Sequence, residues 1–266
     1  MKRVLSPQLP TPGHAIALPE MEAEHLVKVL RLREGDTLEA IDGRGHAATV
    51  VLRIKGGAVR IELALGTEIR SALEQRSAVA PLTLEMAVLK GDAMEWVVEK
   101  AVELGVERLV PTLTAHTVVQ MKNKGPEVFR DRWQKIADQA LKQCGRLERL
   151  LIDLPLDLES LLANAPVSPT CPRVWCDETV REDGMHLLDW IKSWDSPGAI
   201  QVSGVRLLIG PEGGWSEGEK DLLTRAAPGC HPRVSLGTLV LRAETAALFS
   251  SSLLVANLLR RTAAFT

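Results

Sequence analysis

Tyrosine is absent from this 266-residue chain, which carries only three Phe and six Trp. That removes the phenol as an acid, a base or a stacking platform, and leaves aliphatic side chains to fill the core. Cysteine is scarce as well: four residues, Cys144, Cys171, Cys176 and Cys230, none in a Cys-x-x-Cys pair. Neither a zinc framework nor a secreted disulfide scaffold follows from that spacing, and reduced thiols in a cytosol are the simplest expectation. The six histidines, His14, His25, His46, His116, His186 and His231, show no metal-ligand spacing. A strong charge of one sign is lacking: the formal net charge is −2. That excludes a uniformly basic nucleic-acid coat protein and confines any such contact to local patches. Met1-Lys2-Arg3-Val4-Leu5-Ser6-Pro7 holds no long apolar run, so no signal peptide is expected. A P-loop and the Gly-x-Gly-x-x-Gly fingerprint are missing too.

With 45% hydrophobic and 25% charged residues, the chain can build a sizeable core in one or two domains. The short runs Thr37–Ile41, Ala47–Ile54 and Ala58–Leu65 read as strands. Asp42-Gly43-Arg44-Gly45 and Lys55-Gly56-Gly57 are turn signals between them. A helix is predicted over Met21–Leu32. Together these predict a small all-β barrel with one helix, followed by a polar linker over 66–80. From Leu82 the pattern alternates. Leu82–Leu89, Val106–Leu113 and Arg173–Cys176 read as strands; Asp92–Leu104, Glu127–Cys144 and Leu187–Trp194 read as helices. That alternation predicts an α/β fold with a parallel sheet. The expected domains are residues 1–72 and 73–266.

Two stretches carry the most information. Leu207–Ile209 is an apolar run of buried-strand type, broken by Gly210-Pro211-Glu212-Gly213-Gly214. Glycines there admit positive φ and close approach of backbone to a ligand. Ser216 and Glu219 then form a capping-box pattern, which predicts a helix start. In the second stretch Gly237 interrupts an apolar run, Leu239-Val240-Leu241 follows, and Arg242-Ala243-Glu244-Thr245 leads into a long, mostly apolar helix predicted over Ala243–Leu259. Ser250-Ser251-Ser252 and Asn257 interrupt it, so core or a dimer interface suits it better than a membrane span. Charges at the mouth of such a helix, Arg242 and Glu244, need partners or a ligand.

These two stretches, with Glu24-His25-Leu26-Val27-Lys28-Val29-Leu30-Arg31, Gly35-Asp36, Asp42-Gly43, Glu99–Val106 and Gln143-Cys144-Gly145-Arg146, resemble the bacterial 16S ribosomal RNA uridine-N3 methyltransferases (the RsmE family) of the knotted SPOUT class. The resemblance spans almost the whole chain. It implies an N-terminal PUA-like RNA-binding barrel and a C-terminal SPOUT-type domain with a deep trefoil knot. It also implies S-adenosylmethionine as cofactor, 16S rRNA of the small subunit as substrate, a cytoplasmic homodimer, and no metal or membrane. Leu239 departs from the pattern, since many members carry Arg or another polar residue there.

The resemblance further implies three loops around the cofactor. Asp177 and Glu178 start the first. Ile209, Gly210, Pro211, Glu212, Gly213 and Gly214 form the second. Ser235, Leu236, Gly237, Leu239 and Leu241 form the third, with Thr245 beyond it. Methylation at N3 requires loss of the N3 proton, alignment, and stabilisation of the negative charge on the ring. Arg242 is the candidate stabiliser, because a guanidinium stays cationic and can orient carbonyl oxygens. Glu244 and Glu212 are candidate proton acceptors; alternatively they are carboxylates at helix N-termini, with Arg242 as a partner. For RNA the candidates are Lys28, Arg31, Arg33, Lys90, Lys100, Gln143 and Arg146. Arg130, Arg132, Lys135 and Arg149 add charge nearby. Solvated helix ends are the bland alternative. Three functional alternatives stay open: methylation of another base or a 2′-hydroxyl, a non-catalytic RNA-binding assembly factor, and an enzyme using another nucleotide.

Overall fold

The computed structural model describes residues 2–72, 80–119, 121, 125–180 and 184–263, and of 262 and 263 the backbone alone. The chain divides into two units, Met1–Ser77 with Asp138–Arg149, and Ala78–Ala137 with Leu150–Thr266. Part of the segment predicted as a linker, 73–79, lies outside the described residues.

The first unit is a six-stranded sheet of β1 (Arg3–Leu5), β2 (Ile16–Ala17), β3 (Thr37–Ile41), β4 (His46–Lys55), β5 (Ala58–Leu63) and β6 (Arg70–Ser71). The order is β1-β3-β4-β5-β2, with β6 also on β4. Pairing is antiparallel except between β1 and β3. Alternation along β4 buries Ala48, Val50 and Leu52 on one face, where they meet Leu38, Ala40, Ile61 and Leu26. Glu39, on the other face of β3, is held by Arg3 at 2.5 Å and by Arg70. Asp138–Arg149 joins this unit through Lys142, whose ammonium lies 2.6 Å from Glu22.

The helix predicted over Met21–Leu32 forms differently. α1 (Glu20–Glu24) passes into a π-helical turn, His25–Val29, and Arg31 then takes φ 54°. Leu26 and Leu32 are both buried in the core. Bringing both inward outweighs the local cost of a left-handed arginine.

The second unit is an all-parallel sheet of β7 (Leu82–Ala87), β8 (Arg108–Leu113), β9 (Leu151–Ile152), β10 (Leu156–Asp157), β11 (Arg173–Cys176), β12 (Val205–Ile209) and β13 (Arg233–Val234). Its order is β10-β8-β7-β12-β11-β13, with β9 also on β8. The later helices, in chain order, are α2 (Asp92–Glu103), α3 (Pro126–Cys144), α4 (Leu158–Asn164), α5 (Leu187–Ser193), α6 (Glu217–Ala226) and α7 (Ala243–Ala263). Leu239-Val240-Leu241 joins no strand and leads straight into α7.

One row across this sheet reads Val110, Glu85, Leu208, Trp175, Arg233. Apolar members of that face pack with Leu158, Leu161, Trp215 and Leu223. Glu85 is a charge in the middle of it, fully buried. Arg173 donates to it through Nε at 2.5 Å, and Arg206 through Nε at 2.6 Å. Arg173 also donates to Nε2 of His231 at 3.0 Å. On α7, Ala243, Ala246, Ala247, Ser250, Ser251, Leu254 and Leu258 are buried, which is a single helical stripe. Phe249 and Leu259 lie off that stripe, 38% and 51% exposed.

Candidate functional site

Three parallel strands deliver their carboxyl ends to one place. β12 ends at Ile209 and opens into Gly210–Gly214, β11 into Asp177-Glu178, and β13 into Ser235–Leu241. Together with Ala93 and the first residues of α7 they line a cavity of about 620 Å³. Strand order reverses beside β12, between β7 and β11. In open parallel sheets ligands bind at the carboxyl ends where the order reverses, in cavities of this size.

Each turn is braced by its own hydrogen bonds. Gly210 has no room for a side chain, because a Cβ would sit 2.9 Å from the Trp215 ring. That indole is buried, and its Nε1 donates to the Cys176 carbonyl at 2.9 Å, tying the β12 turn to the β11 end. Gly214 takes φ 68°, and Glu178 fills the space where its Cβ would stand. His116 donates through Nδ1 to the Gly214 carbonyl at 2.8 Å. The predicted capping box forms: Glu219 accepts from the Ser216 N–H at 2.9 Å, and also from the Ala115 N–H at 2.8 Å.

The β11 turn is fixed by Asp177, which is 2% exposed. Its carboxylate accepts from Thr179 N–H at 2.9 Å and from Arg233 Nε at 2.9 Å. Arg233 donates onward to Thr179 Oγ1 at 2.7 Å, and its guanidinium stands 5.3 Å from the Trp175 ring centre. Cys176 lines the cavity, but burial pushes its thiol up to about 12, which keeps it protonated.

Other charges on the cavity are treated differently. Glu212, Arg242 and Glu244 all line it, and among the described residues none has a side-chain hydrogen bond or ion pair. The alternative in which Arg242 partners Glu244 or Glu212 is therefore not realised. Arg242 and Glu244 stand two positions apart at a helix start, a spacing that does not bring side chains together.

Of the residues expected at the cofactor, Asp177, Glu178, Ile209, Gly210, Pro211, Glu212, Gly213, Gly214, Ser235, Leu236, Gly237, Leu239 and Leu241 line the cavity. Thr245 does not; it is exposed on α7. Trp215, Cys176, Ala93, Val240, Ala243 and Ala246 line it without having been singled out for it. Trp215 had a readable signal, a large aromatic directly after a Gly-Gly turn. Among the RNA candidates, Lys28, Arg31, Arg33, Gln143 and Arg146 belong to the first unit. Lys28 pairs with Glu24 at 2.5 Å, and that hydrogen bond raises its pKa. Lys90 is exposed beyond β7. Lys100 is held by Glu99 at 2.8 Å and Glu103 at 2.9 Å, and neither Lys90 nor Lys100 lines the cavity.

Comparison with known proteins sets the class first. An RNA methyltransferase domain matches residues 75–255, and an RNA methyltransferase PUA domain matches residues 18–64. Among named relatives, ribosomal RNA small subunit methyltransferase E of Synechocystis is 30% identical over 233 residues, covering 87% of this chain and 69% of that protein. Its counterpart in Bacillus subtilis is 28% identical over 232 residues, covering 87% of this chain and 86% of that one. The chain belongs to the ribosomal RNA small subunit methyltransferase E family. A Legionella pneumophila structure solved with the cofactor SAM bound is similar at TM-score 0.80 and 26% identity, covering 96% of both chains. The Neisseria gonorrhoeae ribosomal RNA small subunit methyltransferase E, solved with S-adenosyl methionine, is similar at TM-score 0.76 and 25% identity, covering 95% of both.

Proposed function

We propose that this chain transfers a methyl group from S-adenosylmethionine to N3 of one uridine in the 16S rRNA of the small ribosomal subunit. The observation that carries the reading is Arg242, an arginine with no side-chain partner among the described residues, on a cavity whose Asp177 is already neutralised by Arg233.

The cavity suits the cofactor. Gly210–Gly214 and Ser235–Gly237 offer backbone donors and acceptors for a nucleoside edge, and Ile209, Leu236 and Leu241 offer apolar cover for its faces. When bound, S-adenosylmethionine supplies a methyl group on a sulfonium centre, whose bond breaks with the electron pair left on sulfur. The chain's own residues handle the acceptor. Glu212 or Glu244 takes the N3 proton, directly or through water. Arg242 stabilises the negative charge then shared by N3 and the two carbonyl oxygens of the base, and the N3 electron pair forms the new bond to the methyl carbon.

The finer architecture belongs to the same proposal: residues 1–72 as a PUA-like β-barrel, and 73–266 as a SPOUT-type domain with a deep trefoil knot. His186 bridges Ser235 in parallel, and the Leu187 N–H donates to the Ser235 carbonyl at 3.0 Å. This close side-by-side run of the segments after β11 and β13 supports the knot. Exposed Phe249 and Leu259 on α7 support a homodimer. Lys28, Arg31, Arg33, Gln143 and Arg146 of the first unit, with Lys90 and Lys100 of the second, contact RNA phosphates, so RNA affinity falls as salt rises. The reaction takes place in the cytoplasm; among the described residues no helix is long and apolar enough to cross a membrane.

The test uses purified protein, methyl-labelled S-adenosylmethionine, small subunits and naked rRNA, followed by nucleoside analysis. Label in 3-methyluridine of small-subunit rRNA is the expected result. Label in another nucleoside or a 2′-O-methyl group moves the acceptor elsewhere. Cofactor binding without transfer to any RNA favours a non-catalytic assembly factor.

A further inference from the structure

The cavity has two kinds of apolar lining. Ile209, Trp215 and Ala243 are buried, whereas Leu239 and Val240 are each 78% exposed. These are the two most exposed large apolar side chains on the cavity, and Leu241 alone separates them from Arg242. Scattered exposed apolar residues are ordinary on a surface. An adjacent exposed pair on the lining of a polar-rimmed cavity is a surface that a ligand can cover.

We infer that Leu239 and Val240 form the apolar wall against which the acceptor base is held, with Arg242 meeting its polar edge. The inference rests on the transfer reaction proposed above. A pyrimidine has apolar faces and polar edges, and proteins that hold an unstacked base usually cover its face with an aromatic ring. Among the described residues, this cavity has no such ring to offer. The chain lacks Tyr. Trp215, the one aromatic residue among those lining the cavity, is 4% exposed and commits its Nε1 to the Cys176 carbonyl. Phe129 packs on Trp133 of α3, and Phe249 does not line the cavity. Among the described residues aliphatic cover is what remains, and on the cavity only Leu239 and Val240 present it largely exposed. Arg242 follows them, carries no side-chain partner among the described residues, and so is available to carbonyl oxygens on the edge of a base lying on that wall. Leu239 is thereby assigned to the acceptor rather than to the cofactor.

The experiment is a paired measurement on Leu239→Ser, Val240→Ser and the double variant. Both positions are exposed, so polar replacements leave the fold in place. Steady-state methylation of the RNA acceptor, cofactor affinity by calorimetry, and mass by light scattering are read on each. The expected result is a fall of about tenfold or more in kcat/KM for RNA in the double variant, with the cofactor Kd within about twofold of the parent and the mass unchanged. Leu239→Met with Val240→Ile restores the rate. Unchanged RNA kinetics overturns the inference. A matching loss of cofactor affinity reassigns the pair to cofactor cover, and a change in mass reassigns it to a subunit contact. A parent protein that methylates no RNA removes the functional reading itself, which the parent arm reports separately.

Discussion

Glu85, Arg173 and Arg206 lie inside the parallel sheet, closed on one another by hydrogen bonds of 2.5 and 2.6 Å. Arg242, Glu212 and Glu244 lie on the cavity at the carboxyl ends of that sheet and have no side-chain partners among the described residues. The difference follows from solvation. An unpaired charge inside a sheet costs several kcal/mol, so burial there forces pairing. On an open cavity water solvates the charge until a substrate replaces it. Asp177 shows the rule within the cavity itself: it lines the space, is almost fully buried, and is taken up by Arg233 and Thr179. Burial thus marks which charges must hold the turns, and those open to solvent, Glu178 as well as Glu212, Arg242 and Glu244, stay without side-chain partners among the described residues.

The largest expected break in this contrast is Glu85→Ala. It leaves two arginines facing each other without their carboxylate, and should cost about 3–5 kcal/mol of stability in urea unfolding. A change below about 0.5 kcal/mol, the range of an ordinary surface substitution, would show that the buried cluster does not hold the sheet. Gly214→Ala comes next. It forces a side chain into φ 68° and against Glu178, and should cost about 1 kcal/mol of stability and about tenfold in cofactor affinity. Unchanged calorimetric affinity would remove Glu178 and this turn from the cofactor's surroundings.

A smaller effect is expected with pH. His231 accepts from Arg173, and burial first, then the charge of Arg173, hold its pKa below the ordinary 6.5. The unfolded chain takes up that proton at higher pH than the folded one. Its contribution to stability is thus complete above 6.5 and is lost as pH falls below it toward the folded value. Stability followed down through that range should decline less steeply in His231→Gln; equal slopes would clear His231 of the effect. The smallest effect is chemical. Cys176 is buried and its thiol is pushed up to about 12, so alkylation of the native protein near neutral pH should spare it and label the exposed Cys144. Early labelling of Cys176 would mean that the cavity opens further than its packing allows.

Much of this was legible in residue order. Periodicity placed the long strands and helices because a half-buried strand or a one-sided helix must alternate. Gly210–Gly214 and Ser235–Leu241 were found as turns because glycine and proline interrupt apolar runs there. The short elements were not found: β9, β10 and α4 have too few residues for a period, and α4 starts at a single capping contact, Asp157 to the Ser160 N–H at 2.7 Å. Arg31 gave no sign of its left-handed backbone, which long-range burial of Leu26 and Leu32 imposes. Nor could order alone say that Asp177 is taken by Arg233 while Arg242 has no side-chain partner among the described residues, because parallel pairing of β11 with β13 makes the first contact and no local spacing announces it. Thr245, adjacent to true lining residues, turns outward because a helix places neighbouring positions on different faces.

The most direct test of the central claim is Arg242→Ala, read twice on the same preparation: the rate of methyl transfer to small-subunit rRNA, and the affinity for S-adenosylmethionine. An uncommitted arginine that acts on the acceptor predicts a rate lowered by about 10²–10³, with cofactor affinity within about threefold of the parent. Equal losses in both would contradict the account and return Arg242 to the cofactor.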